Sequence, residues 1–366
     1  IAASLGVTEP LTPPAFATSF QVTSPVRPDI DKATYAEAFG RIKDYIRDGD
    51  CYQVNYAQRF SGECKGDPWD AYLRLRQINP APYSAYMAIP GSAILSSSPE
   101  RFIQLRGGEV ETKPIKGTRP RAHDPREDRA LADELADSIK DRAENMMIVD
   151  LVRNDIGRVC KFNTVEVSEL MIIEKYATVF QMVSTIVGEL DEGQDSMDLI
   201  RAAWPGGSMT GAPKIEAMGI IDALEPVKRG IYSGSIGYFD FAGHVDFNIV
   251  IRTILLTEGV AYVQVGGAIV ADSDSEDEYL ETLDKARALI RALRATQELI
   301  TRSIAFAVVI LLASFLVSIF FSRYLAGPIR KLRAATEVIG GGRFDIDVEV
   351  RSQDEIGDLA AAFNRM

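Results

Sequence analysis

"GSIGYFDFAGHVDFNIVIRTILLTEGVAYVQVGGAIVAD", residues 234–272, is rich in β-branched and aromatic residues, which favour β-strands. Ala-Gly-His and Thr-Glu-Gly interrupt it, and glycine-containing tripeptides between apolar runs indicate hairpin turns. Consecutive strands joined by short turns pair in the antiparallel direction. A predicted helix, "SEDEYLETLDKARALIRAL" (275–293), follows at once. The stretch therefore predicts long antiparallel strands in a mixed α/β (α+β) domain.

The residues upstream have the same mixed character. "YAEAFGRIKDYIRDGD" (35–50) has apolar residues at helical spacing and a glycine where a helix would stop. Further strands are predicted between residues 51 and 115, and a long helix over about 126–153. We expect one large domain over 31–294, preceded by a short remnant of an N-terminal subdomain over 1–30.

Composition and charge exclude several classes of protein. The 366 residues carry a net charge of −12, which argues against a nucleic-acid surface because such a surface needs a basic patch. Three widely spaced cysteines indicate neither a zinc ribbon nor a disulfide framework and favour a reducing compartment. Two histidines make a His-rich metal site or a Ser-His-Asp triad improbable. Catalysis is therefore expected to rest on carboxylates and amines.

The chemistry of the chain changes near residue 296. "IAFAVVILLASFLVSIFF" (304–321) has no charged residue in 18, a length that approaches a membrane span. We predict a junction over 295–302 and a transmembrane helix over 303–325, with the basic residues after it on the cytoplasmic side. A buried core helix is the alternative reading of this run. Residues 326–366 predict two helices joined by a glycine-rich connector.

Two predicted helices carry acidic pairs at three-residue spacing. Asp141 and Glu144 share one helix face, and Glu278 and Glu281 share another. Two such faces brought together would suit Mg²⁺, a hard cation that prefers carboxylate oxygen. Taken alone, each pair is more typical of a solvated helix face.

A glycine-rich stretch, "PGGSMTGAPK" (205–214), ends with a proline where a helix would begin. Backbone N–H groups at such a position bind carboxylates or phosphates. The stretch has no Walker lysine followed by Ser or Thr, so a nucleotide is not indicated.

In their order along the chain, several motifs resemble those of the chorismate-utilising enzymes. They are "GDCYQVN", "SSSPERF", "PIKGTRPR", "DRAENMMIVDLVRNDIGRV", "WPGGSMTGAPK", "GSIGYFDF", "IRT" and "GGAIVADSDSEDEYLET", spread over about residues 20–293. The resemblance implies a two-layer sandwich of large, mostly antiparallel sheets flanked by helices, from which about 150 N-terminal residues of a typical member are missing. Residues 326–366, with Pro328-Ile329, Leu332 and "DEIGDLAAAFNRM", resemble a HAMP segment, which relays signals in dimers.

Three positions within the family pattern favour amination without elimination. "PIKGT" places Lys116 at a position where aminodeoxychorismate synthases also carry lysine and anthranilate synthases carry alanine. "YATV" places Thr178 where anthranilate synthases carry a histidine. "CYQVN" places Gln53 where isochorismate and salicylate synthases carry a lysine that activates water.

The resemblance implies a role for each of these residues. Lys116 would attack C2 of chorismate and Glu100 would protonate the departing C4 hydroxide. Ammonia from a glutaminase partner would then displace the lysine and give 4-amino-4-deoxychorismate, in the folate and p-aminobenzoate pathway. The expected ligands of Mg²⁺ are Glu144, Glu278, Glu281 and Asp141, and the expected substrate-binding residues are Tyr232, Arg252, Gly207, Thr210 and Gly267.

Alternatives remain for single residues and for the whole chain. Arg252 would also suit a structural ion pair, and Tyr232 an ordinary strand aromatic. The chain is either a cytoplasmic chorismate aminase joined to a foreign C-terminus, or a signalling protein of the bacterial inner membrane that uses the chorismate-like domain as a sensor. An anthranilate synthase component I-like lyase is a further alternative. The missing initiator Met is typical of a fragment.

Overall fold

The computed structural model describes residues 19–176, 179–321, 327–342, 347 and 355–365. The chain divides into two compact units after Thr296. Fifteen strands and ten helices are found in the described residues, and all strands belong to the first unit.

An eight-stranded antiparallel sheet contains the longest strand, β3, which pairs with β15 on one side and with short strands on the other. Its core order is β1-β3-β15-β14-β5-β4, and the short strands β2 and β11 also pair with β3. The predicted hairpin at Thr-Glu-Gly joins β14 to β15. The strands are β1 (Gln21–Val22), β2 (Arg27–Pro28), β3 (Gln53–Lys65), β4 (Tyr83–Ile89), β5 (Ser92–Ser98), β11 (Gly211–Ala212), β14 (Thr253–Thr257) and β15 (Val260–Ile269).

A seven-stranded antiparallel sheet has the order β12-β13-β6-β7-β10-β8, and β9 also pairs with β10. The hairpin predicted at Ala-Gly-His joins β12 to β13. The strands are β6 (Arg101–Arg106), β7 (Glu109–Lys113), β8 (Ile115–Pro120), β9 (Glu166–Lys175), β10 (Val179–Glu189), β12 (Gly237–Phe239) and β13 (Val245–Asn248). Ala57 of β3 and Phe102 of β6 belong to one buried cluster, so the two sheets share a core.

Helices flank both sheets, as expected for this fold class. Apolar residues of α2 and α8 cover the eight-stranded sheet, those of α1 and α7 pack on β3, and those of α4 and α5 join the core shared by the sheets. The helices of the first unit are α1 (Lys32–Asp48), α2 (Pro68–Ile78), α3 (Pro125–Asp137), α4 (Ile139–Gly157), α5 (Ser196–Ala203), α6 (Gly207–Thr210), α7 (Lys214–Leu224) and the start of α8 (Ser275–Phe321).

The single helix predicted over 126–153 is wrong in detail, because the chain forms α3 and α4 with a break at Ser138. The backbone of Ser138 is extended, and its hydroxyl accepts a hydrogen bond from the Asp141 N–H. This is an N-cap, which satisfies one of the free donors at a helix start. Asp141 and Glu144 therefore lie in the first two turns of a new helix.

The second unit contains the rest of α8 together with α9 (Gly327–Gly340) and α10 (Glu355–Phe363). Leu332 and Ala335 of α9 and Ala360 of α10 are buried, in keeping with the two helices predicted for this segment. Glycine-containing residues 341–342 follow α9 as a turn.

The predicted transmembrane helix over 303–325 is not confirmed. Residues 322–326 lie outside the described residues, as do the side chains of 303–307 and 321. Among the helices that can be described, none is both long and apolar enough to cross a membrane.

Candidate active site

A cavity of about 760 Å³ opens in the first unit, between the ends of strands from both sheets and the start of α4. Four of the predicted catalytic and substrate-binding residues line it, namely Lys116, Glu100, Tyr232 and Arg252. Its volume lies within the range of pockets that take small molecules. We therefore treat this cavity as the candidate active site.

Lys116 lies in β8 and is partly buried. Its positive charge lowers the pKa values of Glu100, Glu144 and Glu281 against the larger, opposing effect of their burial. The next residue, Gly117, has a φ of 81°, and a Cβ there would lie 2.7 Å from Leu135 Cδ1. Only glycine fits this close approach, which holds the lysine strand against α3 and α4.

Glu100 follows Pro99 between β5 and β6 and is buried. Burial raises its pKa to about 7, while a hydrogen bond with the Ser208 side chain, the charge of Lys116 and a bond to the Ile115 backbone act in the opposite direction. The Glu100 carbonyl accepts a hydrogen bond from Ile249 N–H at 3.0 Å. A carboxyl with this pKa holds a proton near neutral pH and can donate it, as a general acid must.

Glu144 and Glu278 bring the two predicted acidic faces together. Burial raises the pKa of Glu144, and the negative charges of Glu278 and Asp141 add to that effect. Glu278 is 2% exposed, and its Oε1 accepts hydrogen bonds from Lys140 Nζ at 3.2 Å and from the Ser273 hydroxyl at 2.7 Å. The helices α4 and α8 thus place two carboxylates beside one lysine.

The other two predicted metal ligands are held in ion pairs. Asp141 Oδ2 accepts from Arg119 Nη2 at 3.1 Å, and Glu281 pairs with Lys285 one helical turn away. Burial acts to raise the pKa of Glu281, but Lys285 and the cavity lysines lower it overall. Both residues line the cavity.

The donor set fits Mg²⁺ through two carboxylates. Across the described residues, no group of three or more His, Cys, Asp and Glu side chains is arranged to hold a metal ion. Mg²⁺ does not require one, because it commonly uses one or two protein carboxylates and completes its shell with water and an anionic ligand. Glu278 Oε2 is buried without a hydrogen-bond partner among the described residues, and burial of a free carboxylate oxygen is costly unless something pairs with it. Glu144 and Glu278 therefore fit the metal, and Asp141 and Glu281 lie beside them.

Tyr232 and Arg252 form a different wall of the cavity. Tyr232 is buried, and burial raises its pKa, so its hydroxyl remains a neutral donor. Arg252 has a φ of 51°, an unfavourable backbone conformation for a non-glycine residue. Its Nη1 donates to the Lys285 backbone carbonyl at 3.2 Å. This contact is a hydrogen bond and not an ion pair, and it leaves other guanidinium donors for a ligand.

Gly207, Thr210 and Gly267 lie next to the cavity lining instead of within it. A Cβ on Gly207 would lie 2.5 Å from Leu151 Cδ2, so this glycine lets α6 approach α4. The Thr210 hydroxyl donates to the Gly206 carbonyl at 3.3 Å, and its side chain faces a second cavity. A Cβ on Gly267 would lie 3.1 Å from Glu278 Oε2, which places this glycine beside the proposed metal ligand.

Gln53 and Thr178 are the two further positions that distinguish family members, and the structure describes only Gln53. Gln53 is fully buried at the start of β3 and is not among the residues that line the cavity. Thr178 lies outside the described residues.

Sequence reasoning missed several polar residues of the lining. Asn55, Gln181 and Ser208 lie within or beside quoted motifs but carry no chemistry that singles them out in a sequence. Lys140 had a signal, because it precedes Glu144 by four residues on one helix face. Other missed polar residues of the lining include Thr118, Ser138, Gln264, Asp284 and Lys285.

Comparisons with known proteins agree with this geometry. The model of the chorismate binding enzyme family matches residues 2–291, and the HAMP domain model matches residues 320–366. Aminodeoxychorismate synthase component 1 of Salmonella typhimurium is 50% identical over 276 residues, covering 75% of this chain and 61% of that protein. Anthranilate synthase component 1 of Acetivibrio thermocellus is 47% identical over 274 residues, covering 75% and 56%.

A solved structure shares the fold. The crystal structure of anthranilate synthase component I from Streptococcus pneumoniae superposes with a TM-score of 0.70 at 37% identity, covering 78% of this chain and 64% of that one. The chain spans about three fifths of the length of the curated relatives it matches, 61%, 65% and 60% in three of them. The family model covers most of the chain, and the predicted catalytic pair meets in one cavity. The chain belongs to the chorismate binding enzyme family.

Proposed function

We propose that the first unit aminates chorismate to 4-amino-4-deoxychorismate through a covalent adduct with Lys116. The observation that carries the proposal is the meeting of Lys116 with Glu100 in one cavity, since the charge of the lysine acts on that carboxyl. A nucleophile and a protonated acid facing one space are the two groups that displacement of a hydroxyl requires.

The first step forms one bond and breaks one. Nζ of Lys116, which must first give its proton to solvent, attacks ring carbon C2, the ring double bond shifts, and the C4–O bond breaks. Glu100 gives its proton to the leaving hydroxyl, which departs as water, and the lysine nitrogen is left as a secondary ammonium that can leave as a neutral amine in the next step. The buried Glu100, whose pKa is about 7, is protonated for this role up to neutral pH.

The second step returns the lysine. Ammonia attacks C4, the double bond shifts back, and the C2–N bond to Lys116 breaks. Glu100, now a carboxylate, takes a proton from the incoming nitrogen, so the acid and the amine end as they began. We propose that a glutaminase partner supplies the ammonia, as the name "component 1" of the relatives implies a second component.

We propose that Glu144 and Glu278 hold Mg²⁺, with Asp141 and Glu281 beside it. Bound there, the metal would supply positive charge for the ring carboxylate of the substrate, which the enzyme's carboxylates otherwise repel. Tyr232 and Arg252 would hold the enolpyruvyl carboxylate from the opposite wall, because one offers a hydroxyl and the other a guanidinium.

The test uses the full chain with chorismate, Mg²⁺ and an ammonium salt, so that it does not depend on the partner. We expect 4-amino-4-deoxychorismate from the wild type and none from Lys116→Ala. Lys113→Ala is the matched control, because Lys113 is a partly buried lysine of β7, the preceding strand in the chain, and does not line the cavity. Undiminished product from Lys116→Ala, or anthranilate as the only product, would contradict the proposal.

A second candidate function concerns the C-terminal unit. The HAMP match over 320–366 favours a signalling relay in which paired copies of α9 and α10 form a dimer, with the chorismate-binding unit as sensor. Chorismate binding that persists in Lys116→Ala, with no turnover in the wild type, would favour this function over amination.

A further inference from the structure

Arg229 does not line the candidate active site, yet every N–H donor of its guanidinium is hydrogen-bonded. It has five N–H donors, and five contacts within 3.2 Å account for them. Nε donates to Glu225 Oε2 at 2.9 Å and Nη2 to Glu225 Oε1 at 2.6 Å. Nη1 donates to the Met209 carbonyl at 2.7 Å and to the Ser233 hydroxyl at 3.2 Å, and Nη2 also donates to the Asn55 carbonyl at 2.7 Å.

Its partner Glu225 is equally engaged. The side chain of Glu225 is 3% exposed and that of Arg229 is 14% exposed, and Glu225 Oε1 also accepts from the Ala57 N–H at 2.9 Å. Buried charges are tolerated when they are paired and hydrogen-bonded in this way. The pair therefore forms a rigid connection between α7, β3 and the segment 206–210.

The atoms that this pair holds belong to the walls of the cavity. Asn55 and Met209 line it, and Asn55 Nδ2 donates to the Ser208 carbonyl at 3.2 Å. The guanidinium also lies 5.7 Å from the Tyr232 ring centroid. Ser208 and Glu100 both line the cavity, and hydrogen bonding by the Ser208 side chain lowers the pKa of Glu100. A connected set of contacts thus leads from Arg229 to the proposed general acid.

We propose that Arg229, with Glu225, is a positioning residue that holds the Ser208 hydroxyl on Glu100 by fixing the backbone of residues 55 and 209. The proposal rests on the proposed function in one respect only, the role of Glu100 as acid. Arg229 itself does not line the cavity, so it acts through Ser208.

Other groups face Glu100 from the elements around it. Lys116 faces it from β8 and Tyr232 from the turn before β12. Asp155 of α4 and Glu100 both line a separate, small cavity of about 20 Å³. Among these groups only Tyr232 contacts the guanidinium. Weakening the contacts of Arg229 would therefore displace Ser208 and the Tyr232 ring before the other groups. The Ser208 hydrogen bond lowers the pKa of Glu100. Losing that bond therefore raises the pKa.

The test measures the titration of Glu100 directly in the full chain. Glutamate labelled with ¹³C at Cδ gives carboxyl resonances, and the signal missing from Glu100→Gln assigns Glu100. We expect Ser208→Ala and Arg229→Lys both to move its midpoint to higher pH, and the double variant to move it no further than Ser208→Ala alone. Glu225→Gln provides a second way to loosen the guanidinium if Arg229→Lys does not fold.

The matched control is Arg74→Lys. Arg74 also pairs with an acid one helical turn away, Asp70, and donates to a backbone carbonyl, that of Phe20, at 3.2 Å. It does not line the cavity, so its loss is expected to weaken folding without moving the Glu100 midpoint. An unmoved or lowered midpoint in Arg229→Lys, or additive shifts in the double variant, would overturn the positioning role. Because the resonance is read without turnover, failure of amination alone would overturn the proposed function and leave this result standing.

Discussion

At the scale of single residues, the central features are two side chains with unusual surroundings. Glu100 is buried, and the effect of burial on its pKa exceeds the opposing effect of the Lys116 charge. Lys116 lines the same cavity as Glu100 and several further carboxylates. The resemblance to the chorismate-utilising enzymes predicted both residues, because the lysine in "PIKGT" and the glutamate in "SPERF" lie within motifs of that family. Ser208 and Asn55 were not predicted, since a serine or asparagine has a role here only through the neighbour that the fold gives it.

The buried Glu100 predicts a rate that falls with rising pH. A general acid must be protonated, and the pKa of Glu100 is about 7, so kcat/KM should decline about tenfold per pH unit above that value. Glu100→Gln should lower kcat by about 10²–10⁴-fold and abolish this limb. A pH–rate profile for both proteins checks the prediction, and an identical limb in Glu100→Gln would assign it to another group.

Replacing the same carboxyl is expected to raise the stability of the protein at high pH, although it lowers the rate. A pKa raised from 4.5 to about 7 means that the unfolded chain loses this proton at lower pH than the folded one. Its contribution to the free energy of unfolding is therefore present below pH 4.5 and is lost as the pH rises to 7. Glu100→Gln should be more stable than the wild type at pH 8, by roughly 3 kcal/mol, and the gain should vanish at pH 4. Urea denaturation at the two pH values measures it.

At the scale of elements, strand order was harder to predict than strand existence. The hairpins β12–β13 and β14–β15 followed from local turn residues. The pairing of β14 with β5 did not, because partners about 160 residues apart leave no local signal. That pairing places Arg252, which precedes β14, near the end of β5 and hence near Glu100. Ser208 and Met209 line the cavity, whereas Gly207 and Thr210 do not. Their sequence could not distinguish them, since helix packing decides which residues of 206–210 face the cavity.

The close approach of α6 to α4 gives an element-level prediction. A Cβ on Gly207 would lie 2.5 Å from Leu151 Cδ2, so Gly207→Ala should destabilise the first unit by about 1–3 kcal/mol. Leu151→Ala should recover part of that loss in the double variant. Gly219→Ala is the control, because this glycine of α7 has nothing within 4 Å of its would-be Cβ and alanine favours a helix. Equal effects of the two alanines on the urea midpoint would contradict the packing argument.

At the scale of the whole molecule, the chain joins two units, and the sequence predicted the first more completely than the second. The first was predicted as a chorismate-binding domain, and the family model confirms it. The second was predicted as HAMP-like, which the HAMP match confirms over 320–366, whereas the membrane span is not found among the described helices. An apolar run predicts burial but does not state what surrounds it.

The division after Thr296 predicts that the proposed amination is independent of packing in the second unit. Leu332 is buried in α9, so Leu332→Asp should unfold that helix pair while changing kcat/KM for chorismate by less than about twofold. Arg333→Ala, at the exposed neighbouring position that pairs with Glu337 at 3.2 Å, is the control. A large loss of turnover in Leu332→Asp alone would mean that the C-terminal unit takes part in catalysis.

The most direct test of the account asks whether the ring of chorismate becomes bonded to one amine. The full chain is mixed with chorismate and Mg²⁺ in the absence of ammonia, quenched, digested and analysed by mass spectrometry. We predict a peptide containing Lys116 that is heavier by the mass of chorismate less one water, absent from Lys116→Ala and unaffected in Lys113→Ala. Turnover with ammonia in a protein whose Lys116 peptide never carries that mass would contradict the covalent mechanism.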